Sequence, residues 1–408
     1  MVESVNGIIG LIFIACYFYQ IVYIFIPKFI KRENTLPVVM HNFAVLISAR
    51  NESAVISYLI DSINRQTYPA EYIHIFVCAD NCTDNTAQIA REAGATVYER
   101  FNNELVGKGY ALSYLTACID RDFGDIFDGY FVFDADNVLD KNYIKEMNVT
   151  FSQGYNIITS YRNSKNYGDN WISAGYALWF LRESMYLNRP RHLLGTSCAV
   201  SGTGFVFSNE ILKKCGGWNF FLLTEDIEFS VHNILQGEKI GFCEKAMLYD
   251  EQPVKFSQSW RQRLRWSRGY LQVFGKYGSS LLKKAHGCFS AYDMLMTIMP
   301  AFFLAILSTV FNGTMMVLNI MASNSIGFVL LAVLHFLKDV YGFMFFIGAI
   351  TTVTQWKQIH TSVFKKILYT FTFPFFMFTY IPISIQAIFT KVSWKPIEHK
   401  VSVSIDSF

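Results

Sequence analysis

The sequence predicts an α/β domain with a mixed, mostly parallel sheet, joined to an α-helical transmembrane region with interfacial helices. Three observations predict it. Short apolar runs alternate with amphipathic stretches from about residue 40 to 140, the pattern of a parallel sheet covered on both faces. An uncharged run fills residues 7–26, and long apolar stretches return at 289–321, 327–353 and 367–390. Hydrophobic residues make up 52% of the chain and aromatic ones 17%, against 16% charged; soluble domains hold about 45–50% apolar residues, so the surplus belongs in a bilayer. With 408 residues, the chain has room for a globular core and a second region beside it.

Taken in order, residues 1–30 read as an N-terminal transmembrane anchor. The run GIIGLIFIACYFYQIVYIFI reaches the length of about 20 residues that a helix needs to cross the hydrocarbon core. A signal peptide would have a shorter apolar run, a basic start and a small-residue cleavage site, whereas here Glu3 precedes the run and no such site comes after it. Lys28, Lys31 and Arg32 come next, and the positive-inside bias puts the segment after residue 27 in the cytoplasm. A reducing compartment suits the eight cysteines as free thiols. Cys78 and Cys82 lack the second Cys or His pair of a zinc site, and a net charge of +3 gives no reason to expect nucleic acid.

Residues 40–250 form the predicted α/β domain. Residues 42–48 (NFAVLIS) read as a strand that stops at Ala49-Arg50-Asn51-Glu52-Ser53, with an amphipathic helix over 54–65. A second unit comes directly after it: strand Tyr72–Ala79, polar loop Asp80-Asn81-Cys82-Thr83-Asp84, helix Asn85–Gly94. Ala95–Glu99 reads as a third strand, Gly109–Ala117 as a helix and Gly129–Phe133 as a strand ending at Asp134-Ala135-Asp136-Asn137. Ligands bind beyond the carboxyl ends of such strands, so the three polar clusters are expected in one crevice. The stretch 150–250 mixes an aromatic helix, Trp171–Leu187, with the turns Ser201-Gly202-Thr203-Gly204 and Gly216-Gly217-Trp218.

Several of these residues carry chemistry. Asp134 and Asp136, one small residue apart at a strand end, suit a divalent cation with oxygen ligands, although a lone D-x-D is more often a solvated turn. Asp80 at a neighbouring strand end strengthens the metal reading, since carboxylates crowded in one crevice need a cation or a donor. Lys108 between Gly107 and Gly109 offers a cation to a phosphate without the Walker pattern; the alternative is a surface turn. Thr224-Glu225-Asp226 supplies a carboxylate able to act as general base, or else a helix start capped by Thr224. Residues 251–285 hold SWRQRLRWSR on a helix over about 257–276, which alone reads as an interfacial amphipathic helix.

The order Asp80, Asp134-x-Asp136, Thr224-Glu225-Asp226 and Gln262-x-x-Arg265-Trp266 resembles the membrane-integrated, processive family 2 glycosyltransferases, which include cellulose, chitin, hyaluronan and poly-N-acetylglucosamine synthases. The likeness runs from about residue 40 to 275. The resemblance implies a GT-A fold for the cytoplasmic domain, with a UDP-sugar as donor and Mg2+ or Mn2+ as cofactor. Ala49, Asn51, Glu52, Asp80, Lys108, Asp134 and Arg265 would hold the nucleotide sugar, and Asp134 and Asp136 the metal. Asp226, with Glu225, would be the base. Gly202, Thr203 and Gly204 would line the acceptor path, Trp266 would cap the acceptor, and Gln262 and Arg265 would approach the diphosphate. Arg261, Arg263 and Arg268 would face headgroups or the nucleotide.

Residues 286–392 are expected to be transmembrane helices and 393–408 a cytoplasmic tail. The uncharged loop 322–326 falls outside, and the basic connection 355–366 inside. Pro374 and Pro382 interrupt the last stretch, which either re-enters or forms a short hairpin. Lys338 and Asp339 sit within a predicted span, where they either line a glycan path or tie helices together. The activity implied is inverting transfer to a growing β-linked polysaccharide at the cell membrane, with single transfer to a lipid acceptor as the alternative. A transporter is the non-enzymatic reading.

Overall fold

The computed structural model describes residues 2–31, 36–323, 326–393, 399, 401 and 403–407. Its centre is an eight-stranded sheet: β1 Phe43–Ala49, β2 Ile73–Asp80, β3 Thr96–Arg100, β4 Gly129–Asp134, β5 Val138–Leu139, β6 Ile157–Ser164, β7 Phe205–Ser208 and β8 Ile240–Asp250, in the order β3-β2-β1-β4-β7-β6-β8-β5. β3, β2, β1 and β4 run parallel, β7 is antiparallel to both of its neighbours, and β6 and β8 are parallel to each other.

The side-chain period of two sorts each strand onto two cores. Phe43, Val45 and Ile47 of β1, with Phe131 and Phe133 of β4, bury against the helices Ile56–Asn64 and Tyr143–Phe151. Ala44, Leu46, Tyr130 and Val132 face the other core, which takes in Lys108–Phe123, Trp171–Glu183 and Glu225–Gln236. Full burial of each such aromatic contributes about 1.5–3 kcal/mol, so apolar packing fixes the strand ends that carry the polar clusters.

The parallel half of the sheet agrees with the sequence reading to within a residue or two at most ends, though the helix expected over Gly109–Ala117 continues to Phe123. β6, β7 and β8 lie in the stretch 150–250, where periodicity gave no strand. β6 (IITSYRNS) holds polar residues in buried positions, several of them satisfied by partners distant in sequence, as Ser160 is by the Gly204 carbonyl and Asn163 by the Gln358 carbonyl. The aromatic helix stops being α-helical at Glu183 and continues as a π-helical turn, Ser184–Asn188.

Among the described residues three helices are long and apolar enough to cross a membrane: Gly7–Phe29, Leu337–Thr354 and Val363–Phe389. Phe289–Ile298 is instead packed against the domain, its Asp293 bound bidentately by the buried Arg191 and by the hydroxyls of Tyr19 and Tyr23. The last segment is interrupted only at Thr379. At its start Lys365 donates to the Gly168 carbonyl, and beyond its end His399 reaches Glu52. Lys338 and Asp339 are exposed and line no part of the cavity at the strand ends.

Arg263 is completely buried, contrary to the expectation of headgroup or nucleotide contact. Its guanidinium donates to the Phe376 carbonyl and the Thr379 hydroxyl and lies over the rings of Phe376 and Tyr380. The interruption at Thr379 requires a donor there, and the arginine supplies it. Arg268 donates to Ala387 and Ile388 carbonyls at the end of the last helix, while Arg261 is exposed.

Candidate active site

The carboxyl ends of β1, β2, β4 and β8 open onto one cavity of about 400 Å³. Its wall includes Ala49, Glu52, Asp80, Lys108, Asp134 and Asp136 from the parallel half, Gly202 from a loop, Glu225 and Asp226 from the start of the helix Glu225–Gln236, and Gln262, Arg265 and Trp266 from the helix Phe256–Ala285. Residues separated by more than 200 positions thus share one chamber, because the long helix packs against the helix Glu225–Gln236 and the end of the last apolar segment.

On the parallel side every charge has a partner. Arg100 donates to Asp80 at 2.6 Å. Lys108 Nζ donates to Asp134 Oδ1 at 2.5 Å and to the Gly202 carbonyl at 2.8 Å. Gly109 lets this happen: a Cβ there would stand 2.0 Å from the Phe220 carbonyl oxygen. Asp136 Oδ2 accepts from the Glu251 amide. Burial pushes the Asp136 carboxyl upward, but the charges of His399 and Lys165 and the Glu251 N–H outweigh it, holding the group below its ordinary range.

The other side carries less committed groups. Asp226 lies in the first turn of the helix Glu225–Gln236 and accepts from the Gly202 amide at 2.6 Å. Burial raises its carboxyl against the opposing pull of that N–H, Lys108 and Arg265. Burial, then the Asp226 charge, pushes Glu225 up to about 7. Arg265 donates to the Leu223 carbonyl. Trp266 stands edge-on to Tyr176 and Phe180. Gln262 Oε1 is buried with no hydrogen-bond partner.

Four expectations need correction. Asn51 is not on the cavity wall; it has φ of +58° and its Oδ1 accepts from the Thr83 amide, so it shapes the loop that presents Glu52. Thr203 is buried behind the wall, accepting from the Asp134 amide and donating to Asn137. Gly204 also lies behind it, with φ of +70° and Leu248 filling the space of a Cβ. Of the turn 202–204, Gly202 alone reaches the cavity. Thr224 makes no cap hydrogen bond with its side chain, because it is pressed against Gly269 of the long helix, where a Cβ would stand 2.5 Å from it.

Five wall residues that sequence reasoning missed bear on the site. Arg162 of β6 forms an ion pair with Asp250 and stacks 3.6 Å over the Phe180 ring. Asp250-Glu251, another acid cluster at a strand end, was recognisable in the sequence once β8 was known. Glu183 and His399 had no local signal. His399 Nδ1 lies 3.0 Å from both Glu52 oxygens. Burial opposes its charge, yet Asp136, Glu52 and Glu251 outweigh that and push it up to about 10. The Val401 amide donates to Glu251, so described residues after 390 complete one wall of the cavity.

The family model described as "Glycosyltransferase like family 2" matches residues 41–269, more than half of the chain. Similar curated proteins include the probable glycosyltransferase YdaM of Bacillus subtilis, 26% identical over 69% of this chain and 67% of its own. The β-monoglucosyldiacylglycerol synthase of Nostoc is 26% identical over 68% of this chain and 59% of its own. The poly-β-1,6-N-acetyl-D-glucosamine synthase of Staphylococcus epidermidis is 24% identical, covering 57% and 56%. This chain therefore spans little more than half the length of the last two. In fold it is similar to the mannosyltransferase of Pyrobaculum calidifontis solved with GDP-Man and Mn2+, with a TM-score of 0.58, 13% identity, and 95% and 98% of the two chains covered.

Proposed function

Because this chain belongs to the glycosyltransferase-like family 2 and carries its catalytic domain on a GT-A fold, we propose that it transfers a hexose or N-acetylhexosamine from a UDP-sugar, with inversion, to a growing β-linked polysaccharide at the membrane. The observation that carries this reading is the convergence of Lys108, Asp134, Asp136, Asp226, Arg265 and Trp266 on one cavity.

Asp80, Glu52 and Ala49 lie on the wall where the nucleoside would sit, and Lys108 and Arg265 offer cationic donors to its diphosphate. Arginine's planar fork suits phosphate oxygens. Asp226 takes the proton of the acceptor hydroxyl. That oxygen bonds to the anomeric carbon while the bond from this carbon to the phosphate oxygen breaks, and UDP leaves with the electron pair. Lys108 and Arg265 offset charge growing on the leaving group. The Trp266 face packs against a sugar ring, and Glu225 lies beside the base.

A divalent cation, Mg2+ or Mn2+, fits Asp134 and Asp136. Lys108 takes one Asp134 oxygen, the Asp136 Oδ1 receives only a 3.4 Å contact from Asn137, and Asp136 is held ionised. No three metal-ligating side chains meet among the described residues, as suits a cation held by one or two carboxylates with substrate phosphates and water. Bound there, it would supply Lewis-acid neutralisation of the diphosphate.

The apolar helices support an integral membrane protein, and the basic residues Lys28, Lys31 and Arg32 after the first of them favour a cytoplasmic domain. Met377 and Tyr380 of the last segment on the cavity wall favour a second reading, transfer to a lipid headgroup. The decisive experiment is incubation of the protein in lipid nanodiscs with Mn2+ or Mg2+ and each labelled UDP-sugar, with Asp226→Asn as blank. High-mass, glycosidase-sensitive label is expected. Label in one organic-soluble product would move the assignment to single transfer, and loss of signal with every donor would overturn the donor assignment.

A further inference from the structure

The wall of the same cavity also carries the rings of Trp179, Phe180, Tyr270 and Tyr380, and with them the carboxylate of Glu183, close enough to Tyr270 and Tyr380 to act on both electrostatically. It has no role in the transfer reaction itself. Its Oε2 accepts one hydrogen bond, from the Ser201 hydroxyl at 3.3 Å. Three arginines lie near enough to influence it electrostatically, but each is engaged elsewhere: Arg162 with Asp250, Arg191 with Asp293, Arg182 with Gln20. No ion pair reaches Glu183 among the described residues.

Glu183 is half-buried, and a carboxylate partly shielded from water is costly unless donors satisfy its lone pairs. Ser201 satisfies one site of about four, and the oxygens otherwise look into the chamber. The local backbone is also adjusted at this point. Glu183 is the last α-helical residue before the π-helical turn Ser184–Asn188, a departure often found at functional sites.

The neighbouring contacts set the geometry. Asp226 is held by the Gly202 amide and Glu183 by the side chain of the preceding residue, Ser201. Consecutive Cα atoms are about 3.8 Å apart, so the two carboxylates grip adjacent residues of one loop. A pyranose ring whose attacking hydroxyl meets Asp226 has further hydroxyls within a few ångströms. Its apolar faces match the rings of Tyr270 and Trp266 on the same wall. Diacylglycerol has a single hydroxyl and nothing to offer a second carboxylate.

We propose that Glu183 is a recognition residue of the acceptor subsite, accepting hydrogen bonds from hydroxyls of a terminal sugar ring beside the attacking hydroxyl, and that the subsite takes a pyranose rather than diacylglycerol. The proposal rests on the glycosyltransferase reading and sharpens its acceptor.

The test uses the whole chain in nanodiscs with UDP-glucose and UDP-N-acetylglucosamine as donors. Acceptors are p-nitrophenyl β-glucoside, p-nitrophenyl β-N-acetylglucosaminide or dioleoylglycerol. UDP affinity is measured alongside for wild type, Glu183→Gln, Glu183→Ala and Glu183→Asp. A hydrogen bond to a charged group is worth about tenfold to a hundredfold in affinity. The expected result is therefore at least a tenfold rise in glycoside KM for Gln and Ala, partial recovery for Asp, and unchanged UDP affinity in all three. The penalty for Glu183→Gln shrinks on an acceptor deoxygenated next to the attacking hydroxyl. Unchanged glycoside KM in Glu183→Gln overturns the proposal, as does a wild type that uses dioleoylglycerol and neither glycoside; both leave the glycosyltransferase reading intact. Wild type that neither binds UDP nor transfers would instead remove that reading, and this proposal with it.

Discussion

The two halves of the cavity are built on opposite principles. On the donor side, Asp80 has Arg100, Asp134 has Lys108, Glu52 has His399 and Asp136 has the Glu251 amide. On the acceptor side, Asp226 and Glu183 each have a single described donor besides their own helix, Gln262 Oε1 has none, and Glu225 is raised to about 7. A highly charged ligand of fixed shape is best met by charges already locked in place. A neutral, hydroxyl-bearing ligand is better met by polar groups that keep bonding capacity in reserve. The difference separates binding from chemistry, so substitutions in the two halves should fail in different ways.

The largest effect is expected from Asp226→Asn. Asparagine keeps the shape and an oxygen for the Gly202 amide but has no useful basicity. Loss of a general base costs about 10²–10⁴ in rate, so kcat should fall by about that factor while UDP affinity stays within twofold to threefold, read by isothermal calorimetry. A parallel collapse of UDP binding would merge the two halves into one unit.

Next come the donor-side charges. Asp134→Ala and Arg265→Ala each remove a charged partner of the diphosphate or its cation. Such contacts are worth about 1.5–3 kcal/mol, or about tenfold to a hundredfold weaker UDP binding. Asp134→Ala should also abolish the gain in UDP affinity on adding Mn2+, and chelation should weaken wild type to the same level. If either variant lowered kcat with UDP affinity intact, the division would be wrong at that residue.

The two halves also differed in how legible they were in the sequence. Asp80, Asp134 and Asp136 sit where apolar strands stop, so a period-two pattern and a polar cluster locate them without tertiary knowledge. The resemblance to family 2 enzymes rested on those clusters together with Thr224-Glu225-Asp226 and Gln262-x-x-Arg265-Trp266. What could not be read is what distant elements do to each other. Nothing around Glu183 marks a carboxylate facing a chamber, and nothing around His399 points to Glu52, 347 positions away. Thr203 and Gly204 belong to a recognisable turn, but only the packing of Leu248 and Asn137 turns them away from the cavity.

A smaller, pH-dependent difference is expected from Glu225. Its pKa is raised, so the group is protonated below about 7 and ionised above it. Negative charge beside Asp226 therefore grows as pH rises, and kcat/KM for the acceptor should climb through this range and level off above it. Glu225→Gln should flatten the climb. UDP affinity of wild type should not trace the same curve, since its contacts are locked ion pairs. The same shift has a stability consequence of defined sign: a carboxyl that holds its proton longer when folded stabilises the fold at low pH, and that contribution declines as pH rises towards 7. A thermal melt series should show it, and Glu225→Gln should remove it.

The smallest effect is expected at Asn51, which tests where the donor wall begins. Its φ of +58° is a conformation that glycine adopts without steric cost, so Asn51→Gly preserves the backbone. The substitution removes the bond from the Thr83 amide to Oδ1, a net loss of about 1 kcal/mol, against which glycine's ease in this region partly compensates. Because Glu52 and Ala49 form the wall and Asn51 stands behind it, UDP affinity should change by less than about threefold, well under the tenfold to hundredfold expected for a direct charged contact. Asn51→Ala places a Cβ at the same positive φ without the side-chain acceptor, and should lower the melting temperature more than Asn51→Gly while moving UDP affinity no further. A tenfold loss of UDP binding in Asn51→Gly at unchanged melting temperature would make Asn51 a direct ligand, and would extend the donor half one residue beyond the wall on which the comparison rests.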